Sequence, residues 1–245
     1  IFKTTTNLDM FVGSWSTFDA NKKWLYFIAL KLYGTKDNWC LTEAIKNADN
    51  SNLFIRCVFR SILHASHKDK AFWEHYDERK KLIHLLGNPD AEIADYCAMV
   101  KRKGEDVLYY LTDASKAERN LIFENLDAYS EKIGRKNVEK ILRHIYPGLY
   151  AYLQPYRFNI QLLDSYFQEY KYQKVVNKVF PDFMQLVEEQ AEKREFNLLL
   201  PARSEKLDAI PKNDTLVYFV DAMGVEYLSY IMDQCQKKKL LAHVT

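Results

Sequence analysis

Thr215-Leu216-Val217-Tyr218-Phe219-Val220-Asp221-Ala222-Met223-Gly224-Val225-Glu226-Tyr227 is the stretch on which the fold reading turns. Residues 216–220 are an unbroken apolar run, rich in β-branched and aromatic side chains. Such a run suits a strand buried on both faces, as in a parallel sheet. Asp221 comes next, and Leu228, Ile231, Met232 and Cys235 then fall at i, i+3, i+4 and i+7, the period of an amphipathic helix. The expectation is a strand, an acidic residue at its carboxyl end, and a helix. Ligands of open α/β sheets bind at the carboxyl ends of strands, so a carboxylate there is placed to hold a metal or polarise a substrate.

Upstream the pattern is helical and chemically quiet. Asp19 is placed to cap a helix through Trp24, Phe27, Ile28 and Leu32 that stops at Gly34. Asp37 is read as the start of a short helix through Leu41 and Ile45, and Ser51 or Asn52 as the start of another carrying Ile55, Val58, Phe59 and Ile62. A mixed-charge helix follows over about 69–87, then one opened by Pro89 with Ile93, Tyr96, Cys97 and Val100. Residues 115–133 read as a longer helix ended by Gly134, and Val138, Ile141, Leu142 and Ile145 as the stripe of the next. Two aromatic-rich helices are expected near 158–172 and 183–196. The domain reading is a helical region over 1–200, a linker over 201–214 with two prolines and no period, and an α/β element over 215–245. The fold class expected is mainly α, followed by the first strand–helix unit of an α/β core.

Composition sets limits. Seven glycines and six prolines are few, and aromatics at 14% are many, which favours long helices over a turn-rich β protein. A net charge of +2 with 28% charged residues gives no global basic field for nucleic acid. Cys40, Cys57, Cys97 and Cys235 are widely spaced, and a reduced, cytoplasmic compartment is the simplest reading. No apolar run approaches the ~20 residues that span a bilayer, so no membrane partner is expected. The chain opens on Ile1 and closes on Leu240-Leu241-Ala242-His243-Val244-Thr245, which reads as a second strand beginning. Both ends read as cut, and the chain as a piece of a longer protein.

From Leu199 onward, Leu-Leu-Pro-Ala-Arg-Ser-Glu-Lys-Leu-Asp-Ala-Ile-Pro-Lys-Asn-Asp-Thr-Leu-Val-Tyr-Phe-Val-Asp-Ala-Met-Gly-Val-Glu-Tyr-Leu resembles the opening of a PglZ domain, a branch of the alkaline phosphatase superfamily. In that family the first core strand ends in a metal-binding Asp, followed by a short turn and an acidic residue; Asp221 matches the first and Glu226 the second. The resemblance implies a metal-dependent phosphohydrolase or phosphodiesterase of BREX-type bacterial phage-defence systems. It implies a divalent metal, with zinc expected, in the complete protein, and other defence-system proteins as partners. Nucleic acid is a candidate partner of the full-length protein. The nucleophile and the remaining ligands would follow Thr245, so this piece by itself is expected to be inactive, to hold no tightly bound cofactor, and to be prone to self-association.

Each candidate has an ordinary alternative. Asp221 could cap the following helix, and Glu226 could serve only the helix dipole. His64 and His67 lie three residues apart without further metal ligands near them, and His243 receives no role. Lys132, Lys136, Lys140 and Arg143, with Arg135 beside them, would form a basic stripe on a continuous helix; Lys136, Lys140 and Arg143 are weak candidates for phosphate contact, against the reading of a solvated face. Lys237, Lys238 and Lys239 suit a helix C-terminus. No Gly-rich phosphate loop and no Gly-x-Ser-x-Gly elbow occurs. The competing functional class is a non-catalytic helical protein–protein interaction module; a receiver-like domain phosphorylated on Asp221 ranks last, for want of an earlier strand.

Overall fold

The computed structural model describes residues 8–35, 38–87, 89–155, 158–200, 203–211, 213 and 215–243. The chain is mainly α and divides into two units, Ile1–Tyr146 and Pro147–Thr245. The division falls inside the region read as one helical domain.

The first unit begins with a 3-10 segment, Leu8–Thr17, followed by α1 (Ala20–Tyr33), α2 (Trp39–Asn47) and α3 (Ser51–Arg60). A short 3-10 turn, Ser61–His64, leads to α4 (Phe72–Leu86) and α5 (Asp90–Val100). A second 3-10 stretch, Lys101–Tyr110, precedes α6 (Lys116–Ile133) and α7 (Arg135–Ile145). Side-chain oxygens cap several of these helices, as the orphan amides of a first turn require. The Asp19 carboxylate accepts from the Lys22 amide at 2.8 Å, and Asn50 Oδ1 accepts from Asn52 and Leu53 at 3.0 and 3.2 Å. Asn38 caps α2, its Oδ1 accepting from the Leu41 amide at 2.9 Å; Asp37, read as that start, lies outside the described residues. Gly134, at φ 83°, sits in the left-handed region and separates α6 from α7.

The core of this unit is aromatic. Phe54 of α3 is fully buried, with ring centroids 5.3 Å from Trp15, 5.9 Å from Phe27 and 6.3 Å from Tyr26. Buried tyrosines keep a partner for the hydroxyl, as desolvation demands. Tyr26 donates to the Leu8 carbonyl at 2.9 Å, Tyr76 to the Leu111 carbonyl at 2.5 Å, and Tyr96 to the Tyr110 carbonyl.

The second unit comprises α8 (Pro147–Leu153), α9 (Gln161–Val176), α10 (Pro181–Lys193), α11 (Glu195–Leu199), α12 (Arg203–Asp208), a 3-10 turn Val225–Tyr227 and α13 (Leu228–Lys237). Tyr146 leaves helical geometry at φ −146°, and Pro147 opens the next helix, where its missing amide costs least. Asn177 and Arg194, at φ 52° and 54°, end α9 and α10 in left-handed geometry, so the helix read through Phe196 is two helices. Of the stretch read as a linker, residues 203–208 are helical, while Pro201, Ala202, Lys212 and Asp214 lie outside the described residues.

One expectation is corrected. Residues 216–220 form no strand, no strand occurs among the described residues, and 240–243 do not begin one. The run is exposed instead, Leu216 at 74%, Tyr218 at 79% and Phe219 at 76%. A strand needs a neighbouring strand to take its backbone N–H and C=O groups, and none among the described residues offers that. The helical half of the expected unit is present as α13.

Candidate functional site

Asp221 lies in the turn between the exposed apolar run and α13. Its side chain is exposed, and Oδ1 accepts from the Ala222 amide at 2.8 Å. Ala222 takes a left-handed φ of 55°, which turns the chain sharply away from the run. One carboxylate oxygen is thus held by the turn and the other is left to solvent. Leu207 and Ile210 join residues 217–221 around a shallow open depression at this point. Asp221 does not cap α13: its contact is with its own turn, and the residue preceding α13 is Tyr227, with no side-chain cap.

Glu226 is buried, at 9% exposure, and its Oε1 accepts from Lys174 Nζ of α9 at 2.9 Å. This hydrogen bond holds the lysine above its ordinary value. A raised lysine contributes fully below its unfolded value and loses that contribution only as pH climbs through the raised one. Lys174 also lies 5.6 Å from the Tyr227 ring, and Tyr227 packs on Tyr152 at 5.3 Å. Beside them Ser229 donates to the Tyr152 carbonyl at 3.0 Å, and Lys171 Nζ donates to the Gln154 carbonyl at 2.5 Å and lies 3.3 Å from Ser229 Oγ. This seam ties α8, α9 and α13 together and so positions the Asp221 turn.

Gly224 makes room for the Glu226 carboxylate. A Cβ on it would lie 1.9 Å from Glu226 Oε2, the far end of a side chain able to swing away. Gly224→Ala is therefore expected to displace the carboxylate and break its pairing with Lys174. The expected loss is about 1 kcal/mol of unfolding free energy by urea denaturation, the scale of a partly exposed charged hydrogen bond. In a Glu226→Ala background the same substitution should be nearly neutral. An equal loss in both backgrounds would show that the glycine serves something other than the carboxylate.

Lys136, Lys140 and Arg143 all fall on the exposed face of α7, opposite the buried Val138, Ile141, Leu142 and Ile145. Lys132 belongs to α6, beyond the Gly134 break, and pairs with Glu105, so the stripe is shorter than four cations. Lys140 donates to Asn137 at 3.1 Å. His67 stacks on Tyr109 at 4.1 Å and approaches Asp106 at 3.8 Å, while His64 is exposed. Among the described residues no three His, Cys, Asp or Glu side chains converge in a way that could hold a metal. All four cysteines are free; burial pushes the Cys40 thiol up to about 12 and the Cys97 thiol up to about 11, which keeps both protonated.

Sequence reasoning missed the polar centre of the first unit. Arg79 of α4 and Glu118 of α6 are both fully buried, 3.6 Å apart from Nη2 to Oε1. Arg79 Nε donates to the Phe59 carbonyl at 2.8 Å, and its guanidinium lies 4.0 Å from the Tyr96 ring centroid. Glu118 accepts from the Thr112 amide at 3.2 Å, the Thr112 hydroxyl at 3.1 Å and the Ser115 hydroxyl at 3.0 Å. The available signal was Ser115-x-x-Glu118, the capping-box spacing at the start of α6.

Residues 1–129, just over half of the 245-residue chain, match a family described as "Domain of unknown function (DUF7863)". No curated protein and no solved structure matches the chain. Among the described residues no helix is long and apolar enough to cross a membrane.

Proposed function

The chain belongs to the DUF7863 family, which accounts for residues 1–129 without naming an activity, and we propose that its residues 215–245 open the catalytic domain of a PglZ-like, metal-dependent phosphohydrolase acting in bacterial phage defence. The observation that supports this reading is the exposed apolar run at 216–220, set directly before Asp221 and α13. Contiguous exposed apolar surface marks a place to be covered. In this reading the cover is the parallel sheet of the catalytic domain, and the run becomes its first strand when neighbouring strands satisfy its backbone. Asp221 then sits at that strand's carboxyl end with a free carboxylate oxygen, small neighbours in Ala222 and Gly224, and the site's position fixed by α13. The complete protein supplies the remaining ligands, and zinc is the expected metal, acting as a Lewis acid or activating water. Glu226, committed to Lys174, supports the turn and does not reach the metal. By itself this chain is inactive toward phosphate esters and prone to self-association through the run.

The exposed Trp24, Leu32 and Tyr33 of α1 favour a second reading, a helical protein–protein interaction module without chemistry. One experiment separates the two. In the complete protein, Asp221→Asn keeps the fold, lowers metal affinity at least ~10-fold and lowers phosphodiester turnover. Calorimetric metal titration and a phosphodiesterase assay read both effects. Equal metal content and turnover in wild type and variant would leave Asp221 a turn residue and favour the interaction module.

A further inference from the structure

The basic cleft between the end of α3 and the end of α5 has no part in the reading above. It has a volume of about 490 Å³, and Arg60, Leu63, His64, Met99, Arg102 and Lys103 stand on its wall. No carboxylate is among the described residues that line it. The size falls in the range of small-molecule clefts, about 300–1,000 Å³.

Cations near the ends of α3 and α5 have an ordinary explanation, since they complement the helix dipoles. Two of them are already engaged by the fold. The Arg60 fork grips Asp95, with Nε at 2.8 Å from Oδ2 and Nη2 at 2.6 Å from Oδ1. Lys103 Nζ donates to the Leu63 carbonyl at 3.0 Å and lies 4.6 Å from the Tyr110 ring centroid. These contacts fix both groups in place, and the Lys103 ammonium keeps further N–H donors. Arg102 is different. It is exposed and engages in no hydrogen bond or ion pair among the described residues, and His64 across the cleft is exposed as well. An unengaged guanidinium beside a fixed ammonium, in a cleft without a carboxylate, is suited to a phosphate, which takes several charge-assisted hydrogen bonds at once. Leu63 and Met99 give the same cleft an apolar wall, and a thioether packs well against a planar ring.

We propose that this cleft binds a small organic phosphate, with the phosphate on Arg102 and Lys103 beside His64 and the apolar body against Leu63 and Met99. The site lies wholly within the residues that match the family, and it stands independently of the function proposed for residues 215–245.

The test is calorimetric titration of the purified chain at low salt with three probes: adenosine monophosphate, adenosine and inorganic phosphate. The nucleotide should bind more tightly than either part alone, and binding should weaken as salt rises. Arg102→Glu should weaken it at least ~10-fold with an unchanged urea midpoint, because that side chain holds nothing in the fold. Arg102→Ala should give a smaller loss of the same sign, and Lys81→Glu, on the exposed face of α4 and away from the cleft wall, should leave binding as it was. The proposal is overturned if the nucleotide does not bind at millimolar concentration, if adenosine binds equally well, or if Lys81→Glu costs as much as Arg102→Glu.

Discussion

Glu118→Ala is expected to lower the unfolding free energy by about 3–5 kcal/mol, the scale for removing one partner of a buried ion pair. Arg79 remains fully buried, and its charge then keeps, among the contacts of the described residues, the Phe59 carbonyl and the Tyr96 ring. The hydroxyls of Thr112 and Ser115 lose their shared acceptor at the same time, and α6 loses the residue that closes its first turn. Urea denaturation should show a lower midpoint with an unchanged slope. Replacing the pair with apolar residues of similar volume, Arg79→Met with Glu118→Leu, should recover much of the loss, since the penalty comes from the unpaired charge more than from the missing attraction. A loss below about 1 kcal/mol for Glu118→Ala would mean that water reaches the guanidinium.

This centre also shows where sequence reading stops. Ser115-x-x-Glu118 is a local signal and was available on sequence alone, but it points to a helix start, not to Arg79 on another helix. Pairing of α4 with α6 is a tertiary fact that no spacing along the chain encodes. Helices with a capping residue and an apolar stripe were legible: Asp19 and Gly34 bracket α1, and Ser115 and Gly134 bracket α6, as their side-chain chemistry and backbone freedom dictate. Lys101–Tyr110 was not, because a 3-10 stretch with Gly104 at φ 57° carries no 3.6-residue period. The run at 216–220 departs from its sequence expectation for the opposite reason. Its strand signal is strong locally, yet strand formation depends on partners, and its backbone finds none among the described residues. The family match falls on the helical part of the chain, where no motif could be quoted, since amphipathic helices obey a pattern shared by unrelated proteins. At the candidate site the sequence pointed to Asp221 and Glu226 together, and the fold gives them different surroundings: solvent for the first, Lys174 for the second.

Phe54→Ala should be about as damaging, at about 3–5 kcal/mol, because it removes a whole ring from a core that three other rings enclose. Trp15 comes from the opening 3-10 segment, Tyr26 and Phe27 from α1, and Phe54 from α3, so one side chain joins three elements. Its face and edge contacts, at 5.3 to 6.3 Å between centroids, lie in the range where aromatic pairs add to the burial of area alone. Filling the hole would require α1 and the opening 3-10 segment, which the Tyr26 hydroxyl joins through its bond to the Leu8 carbonyl, to shift toward α3 together. Phe54→Leu, which keeps most of the apolar volume, should cost less than half as much. Phe123→Ala provides the contrast: at 37% exposure it should cost less than about 1 kcal/mol by the same urea measurement. Near-ultraviolet circular dichroism should weaken in Phe54→Ala while the far-ultraviolet helical signal persists, because the loss is of packing around Trp15 and Tyr26 and not of the helices themselves. Equal losses for Phe54→Ala and Phe123→Ala would mean that the aromatic cluster is not the core that holds α1 and α3 together.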